Sequence, residues 1–131
     1  MSDRRICKLD IKNANEQVLQ ETVRLLSSMI GAQIINRVKI WGGQTVDVPC
    51  GLQMTELKNG IGFRVQDGEI VSDGDPYGQR EAYERAETLV KQTYGYVDSM
   101  QKLRSKGFII NSNIKIFGDK IKARIEGMKY A

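Results

Sequence analysis

Between Ile40 and Gly78 the chain alternates short apolar runs with glycine turns, then feeds an acidic, proline-marked segment into a long amphipathic stretch. The run from Gln33 to Trp41 alternates, with Ile34, Val38 and Ile40 on one side and Arg37, Lys39 and Trp41 on the other. Gly42-Gly43 can reach the positive φ angles of a hairpin, so the next run is expected to fold straight back with Val46, Val48, Cys50, Leu52 and Met54 inward. Pro49 cannot donate to a ladder, which predicts that this third strand is at an edge or bulged. Asn59-Gly60 begins a fourth strand with Ile61, Phe63 and Val65 inward, and Asp67-Gly68 turns it into a fifth, Glu69 to Ser72. Asp75 with Pro76 is the expected start of a helix whose stripe runs through Ala82, Ala86, Leu89, Val90, Tyr94, Val97, Met100 and Leu103. Gly95 lies mid-stripe, where it predicts a kink or break.

The flanks complete the pattern. Arg5, Cys7, Leu9 and Ile11 alternate against Arg4, Ile6, Lys8, Asp10 and Lys12, the period-two mark of a half-buried strand. Asn13 and Glu16 have capping-box spacing ahead of a helical face containing Val18, Thr22, Leu25, Leu26 and Met29, which Gly31 ends. After the second helix, capped at Gly107, two strands, Phe108 to Phe117 and Lys120 to Gly127, are joined at Gly118-Asp119. The expected fold is α+β: a mainly antiparallel sheet of about seven strands with two helices on one face, in the order β-α-β-β-β-β-α-β-β. A length of 131 residues, with 40% hydrophobic and 27% charged, fits one domain over residues 1–131. No apolar stretch approaches a bilayer span, so no membrane contact is expected and the cytoplasm is the expected location.

The chain contains no histidine, which removes the commonest general base and metal ligand and disfavours enzymatic chemistry. Cys7 and Cys50 sit at apolar alternating positions and read as buried reduced thiols, with a redox pair as the alternative if the strands bring them together. The acids Glu69, Asp73, Asp75, Glu81 and Glu84 match no cation loop; capping and helix-terminus electrostatics explain them better, and neither a metal nor a cofactor is expected. Two surfaces remain. If the helices cover the side bearing Leu9, Val38 and Ile121, the open side carries Lys8, Arg37, Lys39, Trp41, Lys115, Lys120, Lys122 and Arg124. With a net charge of +4, such a face could track a phosphate backbone, with Trp41 as the stacking group. On the second helix, Tyr83 and Tyr96 are the candidate partner contacts.

Trp41-Gly42-Gly43-Gln44-Thr45, Gly60-Ile61-Gly62-Phe63, Ile70-Val71-Ser72-Asp73, Tyr94-Gly95-Tyr96 and Lys106-Gly107-Phe108 together span about half the chain. In these motifs it resembles a family of small proteins of unknown function encoded in cyanobacteria, other bacteria and algal plastids as a conserved plastid open reading frame. Family members often occur beside an AAA+ ATPase, and none has an established enzyme activity. The resemblance implies a scaffold, adaptor or substrate-handling role, and the plastid stroma as the location if plastid-encoded. The combined expectation is a noncatalytic binding, adaptor or assembly protein contacting another protein or copies of itself. Nucleic-acid binding through the basic sheet face is the alternative.

Overall fold

The computed structural model describes residues 4–129. The elements follow in the order β1 (Arg5–Lys8), α1 (Glu16–Ile30), β2 (Gln33–Lys39), β3 (Thr45–Met54), β4 (Leu57–Gln66), β5 (Glu69–Gly74), α2 (Arg80–Ser105), β6 (Phe108–Phe117) and β7 (Lys120–Lys129). The strands form two antiparallel sheets, not a single sheet of seven. One has five strands in the order β1-β5-β4-β3-β2, and the other is the β6–β7 ribbon. Helix α2 lies between the last strand of the first sheet and the ribbon, and the ribbon docks on α2 instead of extending an edge.

Several turns follow their chemistry. Asp67 and Gly68 both have positive φ, as a two-residue hairpin of the primed type requires. Gly31 ends α1 in the left-handed conformation, its N–H bonded to the Ser27 carbonyl. The other end of α1 departs from expectation: the cap is Asn15, whose side chain accepts from the N–H groups of Gln17 and Val18, and Asn13 is a turn residue with φ 52°. Helix α2 likewise starts later than Asp75-Pro76. The Asp75 carboxylate accepts from the Tyr77 N–H in a local turn, and the helix begins at Arg80. It then runs unbroken through Gly95 to Ser105.

One hydrophobic cluster joins Leu19, Val23 and Leu26 of α1, Leu89, Val90 and Val97 of α2, and Cys50, Leu52, Ile61, Phe63 and Ile70 of the sheet. The sheet's other face carries a smaller packed set, made possible by a slip in register. Ile35 pairs with Gly51 but Arg37 pairs with Asp47, so Val48, Pro49 and Cys50 bulge opposite Asn36. Pro49 thus sits in a bulge inside a central strand, where its missing donor is tolerated. The bulge turns Val48 onto Gly62, where an added Cβ would lie 2.3 Å from its Cγ1. Ile35 similarly covers Gly60, at 2.5 Å from an added Cβ. Gly60 and Gly62 are therefore mid-strand residues under neighbouring side chains, not the start of a strand, and the β3–β4 turn falls at Thr55-Glu56.

Strand β1 is short and is held by charge on both faces of the sheet. On one face the fully buried Asp73 carboxylate takes two bonds from Arg4, at 2.8 and 2.7 Å, and one from Arg64 at 2.6 Å. Burial opposes ionisation of Asp73, but the hydrogen bonds and charges of Arg4 and Arg64 outweigh it and hold its pKa below the ordinary value. On the other face Glu87 of α2 accepts from Arg5 and, at 2.5 Å, from the Ser72 hydroxyl. The two cysteines do not meet. Cys7 pairs with Ser72, Ser72 with Phe63, and Phe63 with Cys50, a separation of three strand spacings or about 14 Å, beyond any disulfide. Burial pushes the Cys50 thiol up to about 11, as expected for an inert core thiol.

Candidate nucleic-acid interface

Strand β6 of the β6–β7 ribbon is built from strict alternation. Phe108, Ile110, Ser112, Ile114 and Ile116 are half-buried, as are Ile121 and Ile125, while the intervening residues of β6 are exposed. Ile116 and Ile121 form a cross-strand pair that packs against the main core. Arg85, Gln92 and Tyr96, spaced seven and four residues apart, form one stripe of α2 that receives the ribbon. Arg85 donates to the Gly118 carbonyl at 2.9 Å, and Gln92 accepts from the Ile121 N–H and donates to the Asp119 carbonyl. The Tyr96 hydroxyl donates to Ser112 Oγ at 2.7 Å.

The register then dictates what the ribbon shows outward. Facing pairs along the outer face are Phe117 with Lys120, Lys115 with Lys122, Asn113 with Arg124, Asn111 with Glu126, and Ile109 with Met128. Four cations thus share a face with one carboxylate, Glu126, which Arg124 contacts. Among the described residues Lys115, Lys120 and Lys122 form no ion pair. Lys115 stands directly opposite Lys122, an arrangement that costs stability because like charges face each other across the strands. Phe117 is 59% exposed beside them. Asn113, Lys115, Phe117, Lys122 and Arg124 line a shallow depression of about 270 Å³.

The eight residues expected on one basic sheet face are therefore not together. Lys115, Lys120, Lys122 and Arg124 share the ribbon, whereas Lys8, Arg37 and Lys39 belong to the five-stranded sheet. Lys8 is engaged by Glu69 at 3.2 Å and Arg37 by Asp47 at 3.0 Å. Trp41 lies in the 3₁₀ turn Trp41–Gly43 and is 68% exposed, off the strand on which its expected neighbours stand. The two tyrosines expected as partner contacts, Tyr83 and Tyr96, are both buried. Tyr83 lies against Gly74 with its hydroxyl 3.4 Å from the Arg5 carbonyl, and Tyr96 serves the ribbon as described. Burial also raises the Tyr83 pKa, as it does for a phenol with no solvent. Phe117 and Asn113 were not singled out by the residue pattern, although their phase was readable. They alternate with Ile114 and Ile116 and so fall in step with Lys115.

Other candidate chemistry is absorbed by structure. Asp73 and Asp75 are tied to arginines and to a backbone N–H, and among the described residues no cluster of carboxylates and thiols could hold a metal ion. No helix among these residues is long and apolar enough to cross a membrane. The architecture is that of an α+β domain displaying a cationic, aromatic-bearing β-ribbon on its second helix. Comparison with family models, with curated proteins and with solved structures finds no match to this chain.

Proposed function

We propose that the chain is a noncatalytic binding protein that engages nucleic acid through the outer face of the β6–β7 ribbon. The observation that carries this reading is the Lys115–Lys122 pair, two cations held face to face with no carboxylate partner among the described residues and flanked by Lys120 and Arg124. A fold that carries such a cost on an exposed face gains from a polyanion that relieves it, and phosphates spaced along a backbone match cations spaced along a ribbon. A two-stranded ribbon also has the dimensions to lie along a nucleic-acid groove or strand. The wider adaptor reading, with a protein partner such as the AAA+ ATPase that the family resemblance implies, loses its two tyrosine contacts to burial. What favours it is the exposed apolar pair Ile109–Met128 at the ribbon's far end, 51% and 69% exposed.

The test is a titration of the full chain into labelled oligonucleotides, followed by fluorescence anisotropy at low and moderate salt. Binding that weakens steeply with salt is the expected result. Absence of binding at 20 mM salt, where the screening length is about 20 Å, overturns the proposal.

A further inference from the structure

We infer that the ribbon takes single-stranded nucleic acid in preference to duplex, with one base stacked on Phe117 and another, farther along the strand, read by Asn113 and Arg124; the inference rests on the ribbon being the nucleic-acid surface. Phe117 presents an exposed ring at the turn end of the outer face, directly opposite Lys120 and two residues from Lys115. Cations around an exposed aromatic serve two parts of one nucleotide: the ring takes the flat face of the base, and the ammonium groups reach the phosphates on either side. A second depression of about 200 Å³ adjoins the first and shares Asn113 and Arg124, adding Asn111 and Glu126. These side chains offer amide, guanidinium and carboxylate groups, which suits hydrogen bonding to an unpaired base. In a duplex the base faces are already stacked on one another, so Phe117 has nothing to receive. The aromatic therefore discriminates the two forms, while the lysines attract both.

Anisotropy titrations with a labelled single strand of mixed sequence and a hairpin duplex containing the same sequence separate the contributions. Wild-type protein is expected to bind the single strand more tightly. Phe117→Ala is expected to weaken single-strand binding about fivefold or more and leave duplex binding unchanged, and Phe117→Trp to restore it. Because Phe117 is on the solvent face, circular dichroism of the variants is expected to match wild type. Equal single-strand affinity in Phe117→Ala, or tighter duplex binding by wild type, overturns the stacking inference. Lys115→Gln with Lys122→Gln distinguishes the two levels. If that variant loses affinity for both forms while Phe117→Ala loses none, the surface stands and the stacking fails. If it loses none, or if polyglutamate displaces the strand at equal charge concentration, both fail.

Discussion

Replacing Lys115 and Lys122 by glutamine is predicted to change binding and stability in opposite directions. The outer face has four cations, and Arg124 already contacts Glu126, leaving about three to meet phosphates. With a salt slope of about −0.7 per phosphate neutralised on a single strand, three contacts give a slope of about −2.1, or roughly 18-fold loss of affinity from 50 to 200 mM salt. The double variant retains Lys120, a slope of about −0.7 and a loss of roughly 2.6-fold over the same range. Relief of the facing like charges meanwhile leaves folding stability unchanged or raises it by up to about 1 kcal/mol. The assay is anisotropy across a salt series, paired with urea denaturation of both proteins. A double variant with the wild-type salt slope would refute the reasoning, since it would mean that these lysines do not meet phosphate. A variant that loses binding only because it unfolds would show itself in the denaturation curve.

Three further outcomes test the scaffold. Asp73→Asn is expected to cost about 2 kcal/mol, less than a fully buried ion pair because Arg4 and Arg64 remain partly exposed. The lowered pKa of Asp73 means that its charge contributes stability above about pH 3.9 and loses it as pH falls through the lowered value, so thermal melts from pH 6 to pH 2 should show a weaker acid dependence in the variant. Gly62→Ala should destabilise by about 1–3 kcal/mol, because the new methyl collides with Val48; a neutral result by denaturation would mean that Val48 does not cover this strand. Thiol labelling of the native chain should modify half-buried Cys7 well before Cys50, whose labelling should follow global unfolding, and oxidation should yield no intramolecular disulfide.

Local chemistry made much of the fold legible. The alternation of β6, the Asp67-Gly68 turn, the Gly31 cap and the Gly118 ribbon turn all depend on residues close in sequence, and all are found in place, whereas the alternation of β2 and β3 is broken, with Ile34 exposed and Val48 turned off the core face. What escaped depends on contacts between distant segments. The register slip at Val48-Pro49-Cys50 is a property of the pairing of β2 with β3, and Pro49 marks only the strand on which it occurs. The burial of Tyr83 and Tyr96 follows from α2 having two buried sides, one toward the core and one toward the ribbon. A single apolar stripe leaves the second side looking like solvent surface, because it is lined by Arg85 and Gln92. The division into two sheets has the same origin. Within the candidate site, Lys115, Lys120, Lys122 and Arg124 were visible from alternation alone, but their separation from Lys8, Arg37, Lys39 and Trp41 required the strand order.

The most direct test of the central claim is an amide and side-chain NMR titration of the full chain with a short single-stranded oligonucleotide at low salt. The account predicts saturable shifts concentrated at Asn113, Lys115, Phe117, Lys120, Lys122 and Arg124, with α1 and the β2–β3 hairpin unmoved. Shifts centred on Lys39 and Trp41, or none at all, would contradict it.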